Sequence, residues 1–173
     1  PDFHHLPSAA EPAQLLAQLR WPVVVKARRL SGSRGVIRAD NAQEFLQAVN
    51  WVRDIQNKAD RDAASLGLIV EEFIAGQEYA LEGILDPPEL RVLALFDKPD
   101  PLDGPYFEET IYVTPSRLPD RTQEEIHGTV QRACRQAGLI TGPVHAEMRA
   151  TREGGWLLEV PARSLGGLCG TAL

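Results

Sequence analysis

The feature that most constrains this chain is a set of apolar runs that turn back on themselves within a few residues. "EYALEGIL" (78 to 85) and "LRVLALF" (90 to 96) are separated by Asp86-Pro87-Pro88. "GPVHAEMRAT" (142 to 151) and "GWLLEV" (155 to 160) are joined through Arg152-Glu153-Gly154-Gly155. Proline, aspartate and glycine are turn residues, so both pairs read as strands joined by tight turns, the second as a hairpin. A return this short makes antiparallel neighbours. "FEETIYV" (107 to 113), which follows a stretch rich in Pro, Asp and Gly, reads as a further strand.

The first third reads differently. Ser8-x-x-Glu11 before Leu15, Leu16 and Leu19 has the form of a capping box feeding a helix that runs to about Leu19. "WPVVVKA" (21 to 27) is a strand, because three valines favour the pleated surface and Trp21-Pro22 forbids a helix. The loop "RRLSGSRG" leads into a short strand, "VIRA". Asp40 or Asn41 then caps a helix with Phe45, Val49 and Val52 on one face. "LGLIVEEFI" (66 to 74) is another strand, broken at Gly76. Asp120 is expected to cap the longest helix, lined by Ile126, Val130, Cys134 and Ala137 and ended by Gly138. The order of elements predicts an α+β fold with antiparallel sheets and packed helices.

Composition narrows the function classes. Eighteen Lys and Arg against 24 Asp and Glu give a net charge of -6, which argues against a nucleic-acid footprint and confines any anion site to a local arrangement of donors. Cys134 and Cys169 form neither a disulfide framework nor a zinc pattern, and point to a reducing compartment. No run reaches the ~18 apolar residues of a membrane span, and no signal-peptide pattern is present, so a cytoplasmic location without a membrane partner is expected. The start at Pro1 and the stop at Leu173 after a glycine-rich turn lead us to expect a piece of a longer polypeptide.

Several residues can carry chemistry, each with a plainer alternative. Glu147 and Glu159 lie on neighbouring strands of the last hairpin, where their hard oxygens suit magnesium; they can equally be two unrelated surface glutamates. Lys26, at the end of the valine strand, is either an edge lysine whose stem covers apolar surface or a phosphate ligand. The loop Ser31, Gly32, Ser33, Arg34, Gly35 can bring backbone N–H groups to anionic oxygens, or be a simple turn; it matches no standard nucleotide-binding glycine pattern. "VEEFIAGQE" (70 to 78) offers a carbonyl and, two residues on, an N–H, the pair of edges adenine needs, with Glu78 able to reach ribose. An edge strand with solvated glutamates is the alternative. His4 and His5 read as a flexible end, and His127 as a solvated helix residue. His145 shares a strand face with Glu147, and a satisfied structural histidine is the plain reading for it.

Taken in order, "WPVVVKARRLSGSRGV", "LIVEEFIAGQEYALEGIL" and "GPVHAEMRATREGGWLLEVPARSLGGL" resemble the ATP-grasp superfamily, and within it the carboxylate-amine ligases such as amino-acid ligases and D-alanine–D-alanine ligase. The resemblance implies an ATP-grasp fold of two subdomains, a small one over residues 1–72 with the glycine-rich lid and a large one over 73–173 with the metal and phosphate side. It implies ATP and magnesium as cofactors, with Lys26 near the phosphates and Ser31 to Gly35 as lid. Glu71, Glu72, Phe73 and Ile74 would be the adenine hinge and Glu78 the ribose ligand. Glu147 and Glu159 would hold magnesium, and Arg163 would face the transferred phosphoryl group or the substrate carboxylate. Lys98, Glu108 and Glu109 would face the substrate side. The implied function is an ATP-dependent ligase joining a small carboxylate to an amine through an acyl phosphate.

Two departures accompany the resemblance. The family usually follows the second metal glutamate with x-Asn, and here that position is Pro161, which has no side-chain acceptor. Full ligases also carry an N-terminal domain and a stretch beyond the glycines, so the segment is expected to be incomplete by itself. The alternatives are a biotin-carboxylase-like or purine-pathway ATP-grasp enzyme, and a nucleotide-binding domain whose chemistry was lost with that asparagine.

Overall fold

A computed structural model describes residues 1–59, 62–87, 89–151, 154–166 and 169–172. Pro88, Arg152, Glu153 and Gly167, which the sequence places in turns, lie outside the described residues. The chain divides into two compact units: Pro1–Ile74 with Leu102–Glu108, and Ala75–Pro101 with Glu109–Leu173. The second unit thus opens two residues after the expected boundary at 72/73, and the first takes in Leu102–Glu108 as well.

The first unit is a four-stranded sheet with one long helix. Strands β1 (Phe3–Leu6), β2 (Val23–Ala27), β3 (Val36–Ala39) and β4 (Leu68–Glu72) pair in the order β1-β4-β2-β3, all antiparallel. Helix α1 (Ala42–Ala59) packs its Phe45, Ala48, Val49 and Val52 against Val23, Val25, Ile37, Leu68 and Val70. The Asn41 side-chain oxygen accepts the Glu44 N–H at 3.1 Å, while the Glu44 carboxylate accepts the Asp40 N–H at 2.8 Å and the Asn41 amide at 2.7 Å. Asn41 is therefore the cap, and Asn41→Ala is expected to lower stability by about 1 kcal/mol in chemical denaturation.

Residues 8–19 do not form the helix their leucines suggest. Only a 3₁₀ turn forms, Pro12–Leu15, with no side-chain cap. Pro12 has no N–H to give and its ring crowds the preceding turn, so the helix cannot extend through it. Leu15, Leu16 and Leu19 still pack on the core, which satisfies the apolar pattern without the helical conformation. The expected flexible start is likewise absent: His4 and His5 belong to β1, and His5 Nε2 lies 2.8 Å from the Leu66 carbonyl.

The second unit is also one antiparallel sheet, β6-β5-β7-β8, built from β5 (Gln77–Asp86), β6 (Glu89–Lys98), β7 (Gly142–Thr151) and β8 (Gly154–Glu159). Helix α2 (Asp120–Gln136) and a short helix α3 (Cys169–Ala172) complete it. Ile126, Val130 and Cys134 of α2 pack on Tyr79, Leu81, Val144, Ala146 and Met148. Ala137, expected on that apolar side, is exposed at the helix end. At 17 residues α2 is one shorter than α1, and Pro119 rather than Asp120 occupies its cap.

"FEETIYV" is not a strand. Within it only Val113 forms an isolated bridge, to Asp97, and the preceding Tyr106 forms another with Ile37; Glu109 and Tyr112 are taken up by side-chain contacts instead of a ladder. Among the described residues, no helix is long and apolar enough to cross a membrane.

Candidate functional site

Strand alternation gives the second sheet two chemically distinct faces. With Tyr79, Leu81, Val144, Ala146 and Met148 committed to α2, the intervening residues Glu78, Ala80, Glu82, His145, Glu147 and Arg149 share the opposite face. The register sets Glu78 opposite both Lys98 and Arg149, and Glu82 opposite His145. Five charged residues that are rarely buried are thereby brought below one-tenth exposure: Glu78, Glu82, Lys98, His145 and Arg149.

Lys98 is the hub. Its ammonium donates to Glu78 Oε1 at 2.8 Å, to Glu109 Oε1 at 2.5 Å and to Glu147 Oε1 at 2.9 Å, which uses all three N–H bonds. Glu78 is also bonded through Oε2 to Arg149 Nε at 3.1 Å. The Tyr112 hydroxyl donates to Glu109 Oε2 at 2.5 Å, and the Lys98 ammonium lies 5.1 Å from that ring. Burial pushes the Lys98 pKa down, but Glu147, Glu78 and Glu109 more than offset it, and the result is well above the ordinary lysine value. Burial and the bond to Glu109 push the Tyr112 hydroxyl far above its usual range.

Behind Glu147 stands His145. Its Nδ1 is 2.5 Å from Glu82 Oε1 and its Nε2 is 3.4 Å from Glu147 Oε1, so both ring nitrogens face carboxylates. Ionised carboxylates only accept, so both nitrogens carry protons. Burial disfavours that cation, yet the bonds to Glu147 and Glu82 hold its pKa up at about 9. Burial raises the Glu147 carboxyl in turn, but the His145 bond and the Lys98 charge bring it far below the ordinary carboxylate range. Glu147 is therefore an ionised carboxylate, with Lys98 and His145 both acting on its Oε1.

Glu159 is the register partner of Glu147. The pairing depends on an irregularity: Met148 pairs with Leu157, so a regular ladder would set Leu158, not Glu159, opposite Glu147. The extra residue re-aims the strand end, a recognised use of bulges. Two like charges directly opposite repel, and a cation between them would relieve the repulsion. Carboxylate oxygens of Glu78, Glu109 and Glu147 also lie within 4.8 Å of one another, but the Lys98 ammonium bonds to all three. Hard oxygen donors, one of them firmly ionised, suit magnesium, which completes its shell with water and phosphate. Pro161 adds no side-chain ligand; its carbonyl instead accepts the His145 backbone N–H at 3.2 Å. Arg163 is exposed, with Nη1 donating to the Ser164 carbonyl at 3.0 Å.

The first unit holds the other expected residues. Lys26 Nζ is 2.7 Å from Glu71 Oε2, across paired strands β2 and β4. Gly32 and Ser33 both have left-handed backbones, at φ 63° and 55°. Nothing lies within 4 Å of where a Gly32 side chain would begin, whereas Gly35 sits 3.0 Å from Ala27 Cβ on the same measure. The Ser31 carbonyl accepts from Arg34 Nε at 3.2 Å. Glu72 is tied to Asp2, and the Phe73 N–H donates to the Pro22 carbonyl at 2.9 Å. The Phe73 ring stacks with Phe107 and carries the Arg38 guanidinium 4.2 Å from its centroid. Ile74 is half-buried at the end of this unit.

The structure thus pairs Lys26 with Glu71 in one unit and Glu147 with Glu159 in the other. Glu78, read as a ribose ligand, is buried in an ion-paired cluster. Sequence reasoning missed Glu82, Arg149 and Tyr112, and placed Lys98 and Glu109 on a substrate-facing surface. The available signal was polar residues at alternate positions of "HAEMR" and at both ends of "EYALE", in strands otherwise apolar. His127, read as solvated, is half-buried with Nε2 2.9 Å from the Leu90 carbonyl.

Comparison with known proteins identifies the family. An L-amino acid ligase from Bacillus licheniformis superposes with a TM-score of 0.80 at 32% identity, over 94% of this chain and 38% of that one. Dapdiamide A synthase from Enterobacter agglomerans is 27% identical over 157 residues, covering 88% of this chain and 35% of the relative. Carnosine synthase 1 from Homo sapiens is 28% identical over 173 residues, covering 94% and 21%. The chain spans well under half the length of these relatives. The ATP-grasp domain profile matches residues 19–172, and with the two antiparallel sheets this establishes that the chain belongs to the ATP-grasp family.

Proposed function

We propose that this chain is the ATP-binding part of an ATP-dependent carboxylate-amine ligase. The observation that carries the reading is the register pair Glu147 and Glu159, two carboxylates aligned at the end of a buried sheet face, one of them held ionised by Lys98 and His145. The named functions of the relatives, an L-amino acid ligase, dapdiamide A synthase and carnosine synthase, support the reaction class.

In this reading Glu147 and Glu159 hold magnesium, which when bound neutralises charge on the nucleotide phosphates. Lys26 is a phosphate ligand, since its ammonium keeps donors beyond the one given to Glu71. The Ser31, Gly32, Ser33, Arg34, Gly35 loop closes over the phosphates with its backbone N–H groups. Glu71, Glu72, Phe73 and Ile74 line the adenine, with Phe73 held in place by Phe107 and Arg38. Glu78 meets the ribose with oxygens already oriented by Lys98 and Arg149. Arg163 faces the transferred phosphoryl group.

The chemistry needs no protein nucleophile. A substrate carboxylate oxygen bonds to the γ-phosphorus as the bond to the bridging oxygen breaks and ADP leaves. The amine nitrogen then bonds to the acyl carbon, phosphate departs with the former carboxylate oxygen, and the amine loses a proton. Catalysis is positioning and charge neutralisation. A cytoplasmic setting belongs to the same proposal, with the two cysteines as free thiols.

The test is ADP release by the full chain with magnesium and a panel of amino acids. Release that requires both a carboxylate and an amine substrate is expected. Tight ATP binding without release under any pair would favour a nucleotide-sensing domain, the reading Pro161 motivates.

A further inference from the structure

The buried pair Glu82 and His145 does more than fill the sheet. Glu82, 3% exposed, spends its two oxygens on different segments: Oε1 on His145 Nδ1 at 2.5 Å and Oε2 on the Leu165 backbone N–H at 3.0 Å. His145, 1% exposed, also has two outlets besides Glu82. Its ring approaches Glu147 Oε1, and its own backbone N–H donates to the Pro161 carbonyl. The segment 161–165 is therefore pinned at both ends by one pair, at Pro161 by His145 and at Leu165 by Glu82. Arg163 stands at the middle of that arc, exposed, while Leu165 is buried beside Ala80 and Phe96.

A carboxylate buried this deeply is costly unless both oxygens are satisfied, and an apolar pair would serve packing at least as well. Its geometry is suited to a different task. Both of its arms end on the parts of the site that must be held still: the carboxylate of Glu147 and the arc that presents Arg163. Groups that orient a metal ligand from behind commonly matter about 10- to 100-fold in metal affinity or turnover.

We propose that Glu82, acting with His145, is a positioning residue that sets the Glu147 carboxylate and the Arg163 arc in one fixed relation. The inference rests on the ligase reading given above. Glutamine at position 82 keeps the shape and one acceptor oxygen, but its amide end cannot accept the His145 N–H. One arm is thereby lost while the other is kept.

The experiment uses the full chain with Glu82→Gln, Arg163→Ala and the double variant, with Mn²⁺–nucleotide affinity measured by electron paramagnetic resonance alongside kcat and KM. Glu82→Gln is expected to weaken Mn²⁺ binding in the nucleotide complex and to lower kcat, each about 10- to 100-fold, with KM for ATP within about twofold. Its effect on Mn²⁺ affinity should persist in the Arg163→Ala background, because that arm ends on Glu147, while its effect on kcat should be smaller there than in the unmodified chain, because the fixed relation between Glu147 and Arg163 no longer matters once the guanidinium is gone. If Glu82→Gln does not fold, His145→Gln carries the same expectations. A folded variant with unchanged Mn²⁺ affinity and kcat, or a kcat loss that simply adds to that of Arg163→Ala, overturns the proposal. If the unmodified chain binds no Mn²⁺–nucleotide, the ligase reading and the inference fall together; if it binds and turns over while Glu82→Gln matches it, the inference alone falls.

Discussion

Lys98→Met is expected to cost about 3–5 kcal/mol of folding stability, the range seen when one member of a buried ion cluster is removed. The loss follows from what remains. Lys98 is 3% exposed and neutralises Glu78, Glu109 and Glu147 together, so its removal leaves three carboxylates facing one another around an empty centre. Arg149 still pairs with Glu78 and His145 with Glu147, which is why the fold is weakened and not abolished. The same three carboxylates present oxygens within 4.8 Å of one another, so the vacated centre is expected to take up a divalent cation. Millimolar Mn²⁺ should therefore restore stability to Lys98→Met by mass action and leave the unmodified chain much less affected. Urea denaturation of both, with and without the ion, measures each effect. Equal stability of the two chains would show that the cluster does not need its ammonium.

Glu147→Gln is expected to behave in the opposite way. Lys98 keeps Glu78 and Glu109, and His145 keeps Glu82, so no buried cation is stranded and the thermal midpoint should move by only a few degrees. Turnover by the full chain should fall about 10²- to 10³-fold, the scale on which removal of one charge-stabilising group acts on a developing anion. Calorimetry with Mg²⁺–ATP should show weakened binding in the same variant. A Glu147→Gln chain that retains turnover would move the metal away from the β7 and β8 edge. Together the two substitutions separate the groups that hold the cluster together from the group that meets the ligand.

The elements that sequence revealed are those whose signal is local. Valines 23 to 25 and the runs 78–85 and 90–96 carry their own strand preference, and Asn41 with Glu44 carries its own cap. β1 was hidden because "FHHL" has no apolar pattern; what makes it a strand is backbone pairing with β4, more than sixty residues away. Residues 107–113 misled for the converse reason: β-branched and aromatic content suited a strand, but Tyr112 and Glu109 are taken up by contacts with Phe96 and Lys98. That Glu147 and Glu159 lie on neighbouring strands was readable from one hairpin, but their direct pairing was not, because it depends on the surplus residue in β8. The Lys98 hub was not, because it joins residues 78, 98, 109 and 147, and only the register of three strands and one irregular segment brings them together.

The irregularity in β8 bears on how other chains of this kind should be read. Leu158 is the surplus residue between the Met148–Leu157 and Glu147–Glu159 pairs. A homologous strand one residue shorter, with a straight ladder, would still bring a glutamate opposite the first one. The number of residues separating the two carboxylates is therefore not a fixed ruler, and a search that insists on twelve would overlook chains with the same chemistry. What must be kept is the alternation along β7, since a shift by one there would send Glu147 to the α2 side and bring Ala146 or Met148 to the edge.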